Sequence, residues 1–242
     1  MTSQWNLENR VVLVAGGTGG LGSEVSMAFA DAGARTVATY RHRDELAALT
    51  AEASRAGRVA PTGVLVDTTD ADAVAAMVDE LVADHGRLDI LVNAVGGYSG
   101  GKNLWEEETS TFERMMSLNV LSGFVLARAA VPAMIRQNGG SIVSIASRAG
   151  YGHAGGTALY AASKAAALAL FDSLAEEVKP YAINVNSVLP SIFDTPANRR
   201  AMPPADYSLW PKPADIARVI LFLCSDDARL IHGAAIPVYG RT

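Results

Sequence analysis

The chain contains one cysteine, Cys224, and four histidines that form no cluster. One thiol excludes a disulfide framework and a cysteine-rich metal site, and it points to a reducing, cytoplasmic setting with no metal. Charge is sparse too. Of 242 residues only 19% are charged, against a usual quarter, and Lys+Arg 20 against Asp+Glu 25 leaves a net charge of −5. With no basic stripe to neutralise a phosphate backbone, nucleic acid is not an expected partner. The opening MTSQWNLENR lacks the apolar core of a secretory leader. No apolar run is read as approaching the ~20 residues that cross a bilayer, so no membrane is expected either. Apolar residues, in contrast, make up 50% of the chain. That excludes disorder and supplies a core for one domain covering 1–242.

Short β-rich runs alternate with longer helical patterns. RVVLVA (Arg10–Ala15) has no polar alternation, as a strand buried on both faces requires. A helix over Leu21–Ala32 stops at Gly33. Then follow Arg35–Tyr40 (strand), Asp44–Ala56 (helix), Gly63–Asp67 (strand), Asp70–His85 (helix) and Leu88–Asn93 (strand). Thr109–Gln137 is helical with a break near Ser117–Val120, Ser141–Ala146 a strand, Ala158–Lys179 a helix and Ala182–Val188 a strand. Ser191–Lys212 reads as a long irregular loop, a candidate lid because structureless loops of that length are uncommon. Pro213–Leu223 is a helix and Ala235–Tyr239 a last strand. This alternation predicts an α/β, doubly wound Rossmann fold: a parallel sheet of about seven strands with helices on both faces.

After the first strand comes Gly16-Gly17-Thr18-Gly19-Gly20-Leu21-Gly22, opening a helix. Glycines let backbone N–H groups at a helix N-terminus approach a pyrophosphate without Cβ clashes. Two registers coexist: Gly17, Gly19 and Gly22 make G-x-G-x-x-G, while Gly16, Gly20 and Gly22 make G-x-x-x-G-x-G. The first predicts an acid at the end of the second strand for the ribose 2′-hydroxyl, yet Tyr40 stands there. Arg41, His42 and Arg43 follow and suit a 2′-phosphate, which favours NADP over NAD, although Asp44 and Glu45 offset part of that charge.

Tyr160 and Lys164 lie four apart in an alanine-rich helical stretch, hence on one face. A free phenol titrates near ~10. A neighbouring ammonium favours phenolate and brings that group toward the range useful for acid–base work. Ser147, thirteen residues earlier and just past a buried strand, can hold a substrate oxygen beside the phenol.

AGGTGGLG (Ala15–Gly22), LVNAVGG (Leu91–Gly97), SLNV (Ser117–Val120), SIVSIAS (Ser141–Ser147) and YAASK (Tyr160–Lys164) occur in that order. Together they resemble the motif set of the short-chain dehydrogenases/reductases over nearly the whole chain. The resemblance implies an NAD(P)-dependent oxidoreductase moving hydride between nicotinamide and a carbonyl or alcohol. It implies a catalytic set of Asn119, Ser147, Tyr160 and Lys164. In that set Tyr160 transfers the proton, Lys164 holds the ribose hydroxyls and lowers the phenol pKa, Ser147 positions the carbonyl, and Asn119 anchors a water. The cofactor set so implied is Gly16, Thr18, Gly20, Leu21, Gly22, Tyr40, Arg41, Asp67, Asn93, Ala94, Gly96, Tyr160, Lys164, Pro190 and Thr195. Within it Asp67 would accept from the adenine amino group, and Pro190 and Thr195 would line the carboxamide pocket. Read without the resemblance, Asp67 is a helix N-cap and Asn119 a surface polar residue. The chain departs from the family pattern at Ala15, Val95 and Ser191, where Thr, Ala and Gly are usual.

Leu189–Trp210, together with Asn93–Gly101, resembles the matching parts of dihydropteridine reductases, relatives within that family. Tyr40, where those enzymes carry an acid, and the presence of Ser147 set this chain apart. Met202, Tyr207 and Trp210 are read either as packing the lid or as lining a pocket, and Tyr151 and His153 as rim residues. Ile231–Gly240 resembles the family's C-terminal strand. Stretches Val120–Ile135 and Ala158–Leu174 are rich in small residues that permit close helix approach, and the resemblance implies a homotetramer. Three functions follow: reduction of a ketone or 3-oxoacyl substrate first, a pterin second, and a non-catalytic dinucleotide sensor third.

Overall fold

The computed structural model describes Trp5 and residues 7–242, so residues 1–4 and 6 of the opening stretch lie outside the described residues. The chain begins with β1 (Val11–Ala15), α1 (Gly22–Asp31), β2 (Arg35–Tyr40), α2 (Arg43–Ala56), β3 (Thr62–Leu65), α3 (Ala71–His85) and β4 (Ile90–Asn93). It continues with α4 (Thr109–Met116), α5 (Ser122–Arg136), β5 (Gly140–Ile145), α6 (Ala158–Val178), β6 (Ile183–Pro190), α7 (Pro196–Ala201), α8 (Pro213–Leu223) and β7 (Ala235–Val238).

All seven strands are parallel, in the order β3-β2-β1-β4-β5-β6-β7. The order reverses at β1, so β1 and β4 diverge toward opposite edges and leave a crevice beyond their carboxyl ends, the ligand position of a doubly wound sheet. This is the Rossmann-like arrangement that the alternating pattern predicts.

β1 explains why its sequence is uniformly apolar. Val11, Leu13 and Ala15 face one core layer, against α3, α5 and α6. Val12 and Val14 face the other, against α1 and α8. Successive strand side chains point to opposite faces, and here both faces are dry.

The expected break in the long helix is a π-helical turn over Ser117–Leu121 between α4 and α5. Such turns insert one residue and re-aim a side chain, here Asn119. Two stretches, Thr109–Arg136 and Ala158–Tyr181, are long and apolar enough by composition to span a bilayer, which corrects the reading that no such stretch exists. Each turns an apolar face onto the sheet: Val125, Leu126, Met134 and Phe171 all belong to one core layer.

The segment after β6 is more ordered than its prolines suggest. Thr195 caps α7 by accepting from Asn198 N at 3.1 Å, and Pro196 occupies the first turn, where a missing N–H costs nothing. Arg199 forks onto Asp194, with Nη2 to Oδ2 at 2.7 Å. Tyr207 stacks edge-on against Trp210 at 4.9 Å between centroids, and Trp210 is buried. Tyr207 and Trp210 therefore pack the segment together.

Candidate active site

A crevice of about 1070 Å³ opens at the carboxyl ends of the strands. Of the expected residues it is lined by Gly20, Leu21, Gly22, Ala94, Gly96, Ser147, Tyr160, Lys164, Pro190 and Thr195. Its size is near the upper end of the usual ~300–1,000 Å³ for ligand sites.

Three sequence-distant segments meet there. The loop after β1 is closed by contact between Gly16 and Gly22: a β-carbon on Gly22 would stand 2.0 Å from the Gly16 carbonyl oxygen. Gly16 itself has φ +69°, and a β-carbon there would press on the main chain of Ala94 and Val95 at 3.1 Å. Gly17 is crowded as well, a β-carbon there standing 2.6 Å from Ala38 Cβ and 2.8 Å from the Val14 carbonyl oxygen, so close approach requires glycines of both registers. The helix cap, Leu21, supplies no side-chain acceptor, so the first-turn N–H groups remain without a side-chain partner at the crevice wall. Thr195 reaches back over this loop, with its Cγ2 3.3 Å from where a Gly20 β-carbon would be.

α6 presents Tyr160 and Lys164 from adjacent turns. Lys164 is 6% exposed, and its Nζ donates to the carbonyl oxygen of Ile145 at 3.0 Å. Burial pulls its pKa down to about 8. For Tyr160 burial is also the leading influence and pushes the phenol above its ordinary value; the Ser147 hydroxyl draws it partly back, and Tyr98 adds to the rise. The expected lowering of the phenol by Lys164 is therefore not the observed direction. The ammonium is committed to Ile145, and desolvation outweighs what acts against it. Ser147 stands at the end of β5, its Oγ accepting from Ala149 N at 3.1 Å.

Asn119 is buried behind the crevice wall, not at its surface. Its Oδ1 accepts from Gly97 N at 2.9 Å, and its Nδ2 donates to Gly97 O at 3.0 Å and to Ser163 Oγ at 2.9 Å. Asn93 is buried beneath the same segment, with Oδ1 accepting from Val95 N at 3.2 Å.

Besides Asn93 and Asn119, five expected residues stand outside the crevice lining: Gly16, in the turn after β1, and Thr18, Tyr40, Arg41 and Asp67. Thr18 lines an adjoining groove. Tyr40 ends β2 with its ring against Gly63, and Arg41 is exposed beyond it. Asp67 uses Oδ1 to accept from Thr69 N at 2.9 Å and from Thr69 Oγ1 at 2.8 Å. It is not the helix cap: Asp70 caps α3, accepting from Asp72 N and Ala73 N.

Sequence reasoning missed several participants. Tyr98 lines the crevice and meets Tyr160 edge-on, 5.0 Å between centroids. An aromatic in a glycine-rich stretch after β4 was the available signal. Arg148 and Thr242 also line it, joined by Arg148 Nη1 donating to Thr242 O at 3.0 Å. Ile145 contributes a main-chain oxygen, which no side-chain pattern can reveal. Met202 and His153 line the crevice, whereas Tyr151 is exposed beside it.

Among the described residues no group of three or more His, Cys, Asp or Glu is placed to hold a metal ion. Among the described residues no Asp or Glu side chain lines the crevice. Glycine-walled space at an uncapped helix start, without acidic side chains, suits the pyrophosphate of a dinucleotide.

Known proteins share this arrangement. The short chain dehydrogenase family profile matches residues 10–205. A 3-oxoacyl-[acyl-carrier-protein] reductase of Thermotoga maritima is 32% identical, over 97% of this chain and 98% of its own length. A 7alpha-hydroxysteroid dehydrogenase of Escherichia coli is 30% identical, over 97% and 94%. A solved short-chain type dehydrogenase/reductase of Mycobacterium ulcerans superposes with a TM-score of 0.91 at 28% identity, over 97% of this chain and 90% of that one. The chain belongs to the short-chain dehydrogenase/reductase family and is an oxidoreductase.

Proposed function

We propose that the protein reduces a ketone or 3-oxoacyl carbonyl at the expense of a nicotinamide dinucleotide, with Tyr160 as proton donor. The carrying observation is the convergence of Ser147, Tyr160 and Lys164 on one crevice that the glycine loop also walls. The similarity to a 3-oxoacyl reductase and a hydroxysteroid dehydrogenase supports the substrate class.

The bound dinucleotide supplies the hydride. Ser147 Oγ orients the carbonyl oxygen toward the phenol. Tyr160 gives up its hydroxyl proton to that oxygen; burial keeps the phenol protonated at neutral pH, as an acid in the reducing direction must be. Lys164 stands beneath, placed to hold ribose hydroxyls and to stabilise phenolate once the proton has left. Asn119 keeps Gly97 and its neighbours in register with α6. Gly16, Gly20, Leu21 and Gly22 receive the pyrophosphate, Ala94 and Gly96 the ribose, and Pro190 and Thr195 the carboxamide. Residues 191–212 serve as the lid.

NADP is the favoured dinucleotide, because Tyr40 replaces an acid and the Arg41 guanidinium is in no ion pair among the described residues. Exposed Phe112, Leu121 and Phe124 on the 109–136 stretch support a homotetramer. The single, buried Cys224 supports a cytoplasmic setting.

The deciding experiment is a fluorescence titration with NADPH and NADH, followed by a panel of ketones, 3-oxoacyl thioesters and a quinonoid pterin. Turnover of a carbonyl that vanishes in Tyr160→Phe is the expected result. Dinucleotide binding without turnover of any carbonyl would favour a sensor, and pterin turnover alone would move the substrate class.

A further inference from the structure

At the edge of the dinucleotide region one carboxylate ties two segments together. Glu45, in the first turn of α2, turns back so that a single oxygen, Oε2, accepts from Thr18 Oγ1 at 3.2 Å, Arg41 N at 3.1 Å and His42 N at 3.4 Å. Thr18 belongs to the glycine loop and Arg41 to the turn after β2. The carboxylate thus occupies the donors that an anion arriving beside Arg41 would take.

The surroundings sharpen this. A groove of about 580 Å³ runs from Thr18 along α2 and is lined by Glu24, Asp44, Glu45, Glu52 and Asp194, with no Lys or Arg in its wall. Glu24 is paired with Arg58, and Asp194 with Arg199. Glu45, among the described residues, has no cation partner and is half-buried. Burial works against its charge, but the N–H groups of Arg41 and His42 and the Thr18 hydroxyl outweigh it and hold the carboxyl below its ordinary range.

We propose that Glu45 sets the dinucleotide preference of this chain, by filling the donors of the β2–α2 turn and opposing a ribose 2′-phosphate there by charge. Arg41 attracts that phosphate and Glu45 repels it, so the wild-type preference for NADP over NAD is modest. Glu45 is a positioning and discriminating residue that touches no reacting atom. The inference rests on the dinucleotide reading above.

The test uses adenosine fragments, which read the site without turnover: 2′,5′-ADP and 5′-AMP, titrated calorimetrically against wild type, Glu45→Gln and Arg41→Ala. Gln retains an oxygen acceptor for the three donors and removes the charge. Glu45→Gln should tighten 2′,5′-ADP about three- to tenfold and leave 5′-AMP within about twofold, the range of one partly exposed charge contact. Arg41→Ala should weaken 2′,5′-ADP alone. If Glu45→Gln is not obtained folded, Glu45→Ala must give the same rise in the 2′,5′-ADP to AMP affinity ratio. An unchanged ratio, or both fragments weakening together as for a mere loop brace, overturns the proposal and leaves the dinucleotide reading intact. A wild type that binds neither fragment nor either intact dinucleotide overturns both.

Discussion

Lys164 donates its ammonium to the main-chain oxygen of Ile145 at 3.0 Å, across the seam between α6 and the end of β5. A cation 6% exposed with a single carbonyl partner is held against its solvation, which is why its pKa falls to about 8. Between about pH 8 and 10.5 the unfolded chain then binds more protons than the folded one, so stability rises with pH across that window. The full span is about 3 kcal/mol. Without added nucleotide, Lys164→Met should gain about 2 kcal/mol at pH 7, once ~1 kcal/mol for the orphaned Ile145 oxygen is subtracted. It should also lose the rise between pH 8 and 9.5. Urea denaturation at several pH values checks this, and a Lys164→Met profile parallel to wild type would refute it.

Tyr160→Phe removes one hydroxyl from the crevice wall and leaves the edge-on contact with Tyr98 available. Turnover should fall ~10²–10⁴-fold, the usual range for a positioned acid. Dinucleotide affinity, read by fluorescence, should change by less than about threefold. Comparable losses in both would mean that the ring, not its proton, matters.

Gly96 lies between Asn119 and Lys164. A β-carbon there would stand 2.9 Å from Asn119 Oδ1 and 3.1 Å from Lys164 Nζ. Lys164 is the flexible partner, so Gly96→Ala should push its ammonium off Ile145. We expect at least a tenfold drop in kcat with a shift in melting temperature of only a few degrees. A variant with normal kcat would show that the ammonium's position is not critical.

Asn119→Ala deletes three hydrogen bonds, a buried one to Ser163 and two part-buried ones to both main-chain groups of Gly97. Orphaned buried groups cost ~1–3 kcal/mol each, softened where water reaches them, so a destabilisation of about 3 kcal/mol is expected by urea denaturation. A loss below about 1 kcal/mol would return Asn119 to the role of an incidental polar residue.

Much of the fold was legible because the inner strands β1, β4 and β6 are buried on both faces and α2 and α3 end on a glycine stop. Arg35–Tyr40 and Pro213–Leu223 appear with the bounds their residues suggest. The interruption near Ser117 was legible too, although not its π-helical form. α7 was not read, because the prolines around it looked like irregular chain, while its actual start signal is Thr195 followed by Pro196. In the site, Ser147, Tyr160 and Lys164 could be picked out by type and spacing. Tyr98, the Ile145 oxygen and the Arg148–Thr242 contact could not, since each depends on segments remote in sequence.

By itself the sequence determined the parallel, doubly wound sheet and the residue types that carry the chemistry, because hydrophobic period and short-range spacing act within a few residues of chain. Tertiary structure alone decided the pKa shifts and the neighbours. Burial raised the phenol and lowered the ammonium, Asn119 turned inward to Gly97, and Glu45 settled on the turn beside Arg41. Desolvation and long-range contact exist only once distant segments have packed, so no local pattern encodes them.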